Sequence, residues 1–292
     1  MSQHRSESSV PGTRRGAYWL GDPASQDPAV VGAAVACLAR LAGREYVPAA
    51  FCLTAPPLEV APDGSLGAGT DLIAGLYGRL AEVTGQSDPA VVVRSALVGS
   101  GPAASWVPAP WTFVNVAGME ALSEAVTECA APYASDRARA YRAARAAAVE
   151  VALAIVVQRF VPADVCCRVS TGADGQAVTI RSRWGLCDLT GTGDWDTTVV
   201  RRADLALVER TIADKRRMTV PGGGGVVQVS VAPGRRLVPC LDDGQAGRLA
   251  GLAAEISAGA GGPVEAEVAW RDDRMHLLWC EPGHAAPAAS RS

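Results

Sequence analysis

A succession of strand patterns between residues 154 and 186 constrains the fold of this chain more than any other part of its sequence. Residues 155–157 are a β-branched run of the kind that fits a buried strand, and Pro162 ends this run. Two further strands are predicted over 165–169 and 177–180, with glycine-containing turn residues between them. The sequence therefore predicts three successive strands joined by short connections.

Helix and strand patterns continue on both sides of this segment. Pro132 is expected to separate two helices. The segment PGGGG at 221–225 predicts a surface turn, and it is not a P-loop because it lacks the Gly-Lys-Ser/Thr ending. The predicted helices cover 29–41, 72–84, 119–131, 135–152, 203–217 and 246–258, and the further strands cover 51–53, 90–93, 264–270 and 275–279.

The composition excludes several classes of protein. The chain has 292 residues, and 49% of them are hydrophobic, which is enough for a sizeable core. Its formal charge is −3, so it has no excess of basic residues. Basic residues do not alternate with aromatic ones, so no nucleic-acid partner is expected. No apolar run reaches the roughly 18 residues of a membrane span, and the N-terminus lacks a signal peptide, which predicts no membrane partner and a cytoplasmic location. We expect disordered tails at 1–15 and 285–292, and the residues between them, 16–284, are enough for either one large unit or two lobe-like units.

The cysteines and histidines give no metal-binding pattern. Eight cysteines are scattered without CxxC spacing, and most lie in apolar segments, which is typical of small buried side chains in a reducing compartment. The three histidines, two of them in or near the tails, do not suggest a histidine metal site or a Ser-His-Asp triad. The sequence therefore predicts reduced thiols and no metal site.

Eight short motifs, taken in order, resemble the nucleotide-binding domain of the family of phosphoenolpyruvate synthase, pyruvate phosphate dikinase and rifampin phosphotransferase. The resemblance covers about 30–282 and implies an α+β, ATP-grasp-like fold of two lobes. A fold alone does not fix an activity. The motifs are GAAVACL at 32–38, VPAAFCLT at 47–54, VVVRS at 91–95, TFVNVAG at 112–118, SDRARAY at 135–141, QRFVPAD at 158–164, WGL at 184–186 and PVEAE at 263–267.

The nucleotide site is where the chain departs from this family. Ala34 stands at the position of the family's phosphate-binding lysine. Near the C-terminus the family's Leu-Leu-Gln-x-Arg-Pro corresponds to LLWCEP, so Trp279 replaces a magnesium-binding glutamine and Glu281 replaces a phosphate-binding arginine. Arg94 and Glu267 are retained from the family's catalytic set.

These replacements remove groups that a bound triphosphate needs. ATP carries about four negative charges and requires cations or dense N–H donors around it. Ala34 deletes a positive charge, Glu281 reverses another, and Trp279 offers no oxygen to magnesium. Pro108, in the segment replacing the phosphate loop, removes an N–H donor. We therefore expect that ordinary ATP-dependent phosphoryl transfer is lost and that no cofactor is used, with ATP and Mg as the cofactors of the alternative.

Tryptophans enter the region where the family binds phosphate. Trp106 and Trp111 lie in the segment that replaces the phosphate loop, and Trp279 lies near the C-terminus. They would either line an apolar small-molecule pocket or fill the vacated space. The candidate catalytic residues are Glu267, Arg94 and Glu281, and the candidate substrate-binding residues are Trp279, Trp106, Trp111, Gln158 and Trp184.

Three functions are compatible with these residues. The first is a cyclase or isomerase of natural-product biosynthesis that binds a largely apolar small molecule, with Glu267 or Glu281 as acid or base beside Trp279. The second is an ATP-dependent phosphotransferase for a small molecule, working with a separate swivel-domain protein. The third is a non-catalytic regulatory or scaffold protein. Lys215, the single lysine, is expected to be a solvated charge, although it also matches a lysine of the family.

Overall fold

The computed structural model describes residues 16–44, 46–54, 58, 69–98, 111–135, 152–172, 175–187 and 194–283. Both predicted tails lie outside these residues. The strands are β1 (Ala17–Trp19), β2 (Ala50–Thr54), β3 (Val91–Val98), β4 (Thr112–Val116), β5 (Ala152–Arg159), β6 (Val165–Thr171), β7 (Ala177–Trp184), β8 (Asp196–Arg201), β9 (Leu207–Thr211), β10 (Arg217–Gly222), β11 (Gly225–Ser230), β12 (Val264–Arg271) and β13 (Arg274–Pro282). The α-helices in this part of the chain are α1 (Pro28–Val31), α2 (Ala33–Arg40), α3 (Thr70–Thr84), α4 (Met119–Ala134) and α5 (Asp243–Ala260).

The first sheet is antiparallel, with the strand order β1-β2-β5-β3-β4. Its strands alternate between two apolar faces, as the two-residue period of a strand requires. One face, which includes Phe51 and Ile155, packs against α3 and α4. The opposite face, which includes Ala96 and Val156, shares a core with α2. The three strands predicted from the apolar patterns at 51–53, 90–93 and 155–157 are confirmed as β2, β3 and β5.

The second sheet is also antiparallel, in the order β13-β12-β6-β7-β8-β9. The face of this sheet that packs on α5 is apolar: side chains such as Val169, Ile180 and Val268 are buried there. The alternate positions carry mostly polar side chains, among them Arg168 and Thr179. Half-buried antiparallel strands commonly show this alternation. Together the helices and antiparallel sheets confirm the α+β class.

The predicted helix over 203–217 is wrong. Leu207–Thr211 forms the edge strand β9, which pairs with β8, and Arg217 begins β10. Leu207 and Val208 are both exposed, so the segment has no apolar helical face to bury. Pairing with the open edge of β8 therefore overrides the local helical pattern.

Three further predicted helices, 29–41, 119–131 and 135–152, also differ from the structure. The helix expected over 29–41 is divided at Gly32, whose φ of +86° ends α1 and precedes α2. α4 continues through Pro132, which was expected to end it, as far as Ala134. Ala152 begins β5 and is not helical, while residues 136–151 of the predicted helix 135–152 lie outside the described residues.

The glycine run at 221–225 forms a hairpin turn between β10 and β11. Asn115 on β4 fixes this turn, because its Nδ2 donates hydrogen bonds to the carbonyl oxygens of Gly222 (2.9 Å) and Gly225 (2.8 Å). Asn115 itself has a φ of +61°, a conformation that asparagine tolerates better than most residues. The predicted surface turn is thus tied to the first sheet.

We expect Asn115→Ala to lower the free energy of unfolding by about 1–2 kcal/mol, since it removes two neutral hydrogen bonds. Urea denaturation measures this change. Asn115→Gly removes the same bonds but accepts the positive φ, so it separates the hydrogen bonds from the backbone conformation. Equal stability of wild type and both variants would contradict this interpretation of the turn.

Two of the eight cysteines form a disulfide, which corrects the expectation of eight reduced thiols. Cys166 on β6 is bonded to Cys187, just beyond β7, with their Cα atoms 5.1 Å apart. The β6–β7 pairing brings these residues together although 21 positions separate them. The other six cysteines are free and buried, as predicted, and burial raises the pKa of Cys52 to about 12.

We expect Cys187→Ser to lower the free energy of unfolding by about 2–3 kcal/mol, because the bond closes a loop of moderate length. Thermal denaturation without and with a reductant measures the effect. Reductant should lower the Tm of the wild type and leave that of the variant unchanged. A reductant effect of equal size in both proteins would show that the Cys166–Cys187 bond is not its source.

None of the helices in the described ranges is both long and apolar enough to cross a membrane.

Candidate functional site

An ion pair between Arg94 and Glu267 joins the two sheets. Arg94 lies on β3 of the first sheet and Glu267 on β12 of the second. The Arg94 Nη2 donates to both carboxylate oxygens of Glu267, at 3.3 Å from Oε1 and 3.2 Å from Oε2. The side chains are only 11% and 16% exposed, so the pair is largely shielded from water. Of the predicted site residues, these two were the ones retained from the family.

Trp279 completes this group. It faces Glu267 across the β12–β13 pairing, and the Arg94 Cζ lies 4.9 Å from the centre of its ring. A guanidinium above an indole face is held by a cation–π attraction of about 0.5–2 kcal/mol. Glu281, two residues further along β13, lies opposite Glu265, and the partners of Arg94 among the described residues are Glu267 and Trp279.

Gln158 lies on the next strand, β5, on the face of the first sheet that carries Arg94. Arg94 pairs with Val156, two residues from Gln158, so the two side chains share that face. Gln158 is only 4% exposed, and its Nε2 has no hydrogen-bond partner among the described residues. A buried amide without a partner costs about 1–3 kcal/mol, which a bound acceptor would recover.

Two of the other predicted residues lie elsewhere. Trp111 stacks on Phe113, and both belong to the α3–α4 side of the first sheet, opposite to the side of Arg94. Trp184 is buried in the α5 core, where its Nε1 donates to the carbonyl of Arg235. Trp106 lies outside the described residues. Of the two described tryptophans that were expected to line a pocket, the structure brings Trp279 to the ion pair and places Trp111 elsewhere.

Three arginines that the sequence analysis missed share a face with Glu267. Arg168 on β6 pairs with Glu267 on one side and with Arg181 of β7 on the other. Arg183 follows at the next position of the same face, and the Cζ atoms of all three lie 5.3–5.4 Å from the ring centre of Trp195. These arginines add positive charge to this face, whereas the sequence analysis considered only the charges changed at Ala34 and Glu281. The signal was the two-residue spacing of Arg181 and Arg183 along β7, whereas Arg168 on β6 joins them through the strand pairing.

The disulfide borders the same site. The Sγ atoms of Cys166 and Cys187 and a carboxylate oxygen of Glu267 all lie within 4.8 Å of one another. Cys166 pairs with Arg183, which places the disulfide beside the arginines. In the disulfide form the two sulfurs offer no thiolate to a ligand.

Lys215 is buried, which corrects the expectation of a solvated charge. Its side chain is 1% exposed, and its Nζ donates to Asp196 Oδ1 at 2.5 Å and to the carbonyl of Ala213 at 3.1 Å. Asp196 also accepts the backbone N–H groups of Ala213 (3.0 Å) and Cys240 (2.9 Å). The chain's single lysine thus anchors the segment after β9 to the start of β8.

Comparison with known proteins places the chain in a family. Residues 70–292 match the model of the pyruvate phosphate dikinase, AMP/ATP-binding domain. The chain therefore belongs to this family, as its motifs predicted.

Several characterised or named proteins are similar over most of the chain. Rifampicin phosphotransferase of Streptomyces sp is 30% identical over 73% of this chain. A probable phosphoenolpyruvate synthase of Methanocaldococcus jannaschii is 28% identical over 70% of it, and the prodigiosin synthesizing transferase PigC of Serratia marcescens is 29% identical over 59%. The matched segments make up only 25%, 18% and 20% of these three relatives.

Proposed function

We propose that this chain binds a nucleotide between its two sheets, with the phosphate groups held beside Arg94 and Glu267. The ion pair that joins the sheets is the observation that supports this most directly. Its two residues match those retained from the family, and the family itself is described as AMP/ATP-binding. The arginines on the second sheet add positive charge to the same face.

The described side chains suit a magnesium nucleotide. The Arg94 guanidinium can hold phosphate oxygens with charge-assisted hydrogen bonds. Glu267 offers the carboxylate oxygens that magnesium prefers, and the unpartnered amide of Gln158 offers a buried donor. Without nucleotide, Arg94 and Glu267 neutralise each other. With a magnesium nucleotide bound, Arg94 would pair with the negative phosphate groups and Glu267 with the positive magnesium ion.

Arg94 would neutralise phosphate charge, Gln158 would help to orient the phosphates by donating a hydrogen bond, and bound ATP would supply a transferable phosphoryl group. The matched segment is a quarter or less of the three relatives named above, and we propose that transfer to a small-molecule acceptor involves protein parts outside the matched segment. A separate swivel-domain protein is the partner we propose for that step.

A second candidate is a cyclase or isomerase that has lost phosphoryl transfer and acts on a largely apolar small molecule in natural-product biosynthesis. It is favoured by Trp279, whose ring covers Arg94 at the position of the family's magnesium-binding glutamine. The name of the PigC relative, a prodigiosin synthesizing transferase, suits such a context. Glu267 or Glu281 would then serve as acid or base.

Calorimetric titration with Mg-ATP separates the two candidates. We expect binding tighter than about 1 mM for the wild type and a roughly 10- to 100-fold loss of affinity for Arg94→Ala, the value of one charge-assisted contact. Arg44→Ala is the matched control, because Arg44 is 57% exposed and pairs with Glu255 away from the site. Absence of Mg-ATP binding in the wild type would contradict nucleotide binding and favour the second candidate.

A further inference from the structure

The three arginines around Trp195 form a distinct charged surface on the second sheet. Arg168, Arg181 and Arg183 occupy neighbouring positions on β6 and β7, and each guanidinium contacts the same indole. Trp195 is buried, so it gives the three side chains a fixed platform. Three guanidinium groups thus lie around one ring, with Glu267 as the acidic neighbour of Arg168, and each carries N–H donors from which an anion can accept hydrogen bonds.

The exposure of these arginines is graded. Arg183 is 3% exposed, Arg168 is partly buried and Arg181 is exposed. Arg181 and Arg168 are therefore accessible to a ligand in different degrees, while Arg183 adds a buried charge beside them. A surface made only of solvated arginines would not show this gradient.

The position of this surface relative to Glu267 indicates what it contacts. Arg168 lies directly beside Glu267, one strand or about 4.8 Å away, and Arg181 lies one strand further. The row of side chains thus runs from the ion pair outward across the sheet. A chain of phosphate groups whose one end is at Arg94 and Glu267 would extend along it.

We propose that Arg168, Arg181 and Arg183 form a phosphate-binding site on the polar face of the second sheet. This inference rests on the proposed nucleotide function and names the residues that hold the phosphate chain. One guanidinium group can bind two phosphate oxygens at once. Three such groups in a row therefore suit a polyphosphate better than a single carboxylate. The three arginines supply the positive charge that is lost at Ala34 and Glu281.

Calorimetry with inorganic tripolyphosphate, Mg-ATP and adenosine tests this site. We expect Arg181→Ala and Arg168→Ala each to weaken tripolyphosphate and Mg-ATP binding at least about fivefold and to leave adenosine binding unchanged. The dependence of affinity on salt should become shallower as each charge is removed. Arg248→Ala is the control, since Arg248 lies on α5, against the opposite face of the sheet.

The outcomes separate this inference from the proposed function. Wild-type Mg-ATP binding that neither Arg181→Ala nor Arg168→Ala weakens would overturn the phosphate site and leave nucleotide binding intact. Binding of tripolyphosphate but not of Mg-ATP, with loss in both variants, would support the phosphate site and contradict the nucleotide. Failure of the wild type to bind either probe would overturn both.

Discussion

Replacing Lys215 with alanine is expected to lower the free energy of unfolding by about 3–5 kcal/mol, because the substitution leaves the Asp196 carboxylate buried without its cation. Both side chains are almost fully shielded, at 1% and 2% exposure. The carboxylate would retain two backbone N–H donors but no positive charge. Urea denaturation of the variant, followed by far-UV circular dichroism, measures the loss.

Two further variants test whether the buried charge is the cause. Lys215→Met combined with Asp196→Asn removes both charges at similar volume and should recover part of the stability lost by Lys215→Ala. Arg248→Ala breaks an exposed pair with Asp273 and should change stability by less than about 1 kcal/mol. Equal losses of unfolding free energy for Lys215→Ala and Arg248→Ala would show that the buried Lys215–Asp196 pair contributes no more to stability than an exposed pair.

Gly32→Ala is expected to lower the free energy of unfolding by about 2–5 kcal/mol, from an unfavourable backbone conformation and from overpacking. Gly32 has a φ of +86°, and a Cβ there would lie 2.3 Å from the carbonyl oxygen of Leu97. Leu97 belongs to β3, the strand that carries Arg94, so the shift needed to relieve the clash would reach the candidate site. Affinity for Mg-ATP should therefore fall together with stability.

Gly78→Ala is the matched control for this prediction. Gly78 is exposed within α3, and a Cβ there would meet no atom within 4 Å. Alanine should stabilise this helix by about 0.5–1 kcal/mol because it restricts the unfolded chain. A Gly32→Ala variant that is as stable as Gly78→Ala would contradict the close approach of α2 to β3.

Much of the fold followed from local patterns in the sequence. The β-branched run at 155–157 and the alternation along β6 and β7 predicted strands that the structure contains. The segment 203–217 was mistaken for a helix because part of it pairs with the edge of β8, and local sequence does not show that this edge is available. Burial of Lys215 was missed for the same reason, since its partner Asp196 is 19 residues away.

The site was only partly predictable. Arg94, Glu267 and Trp279 were selected by resemblance, and the structure brings these three together. Trp111 was expected nearby because of its place in the sequence. In the structure it stacks on Phe113, which packs on the other face of the sheet. Arg181 and Arg183 could have been found from their two-residue spacing on β7, but their meeting with Arg168 at Trp195 depends on the sheet pairing.

A crystal structure with magnesium and a non-hydrolysable ATP analogue tests nucleotide binding most directly. We expect the triphosphate between the two sheets, with Arg94 released from Glu267 and bonded to phosphate oxygens, and with Arg168 and Arg181 along the phosphate chain. A structure at saturating analogue in which Arg94 still pairs with Glu267 and no nucleotide lies between the sheets would contradict the proposed function.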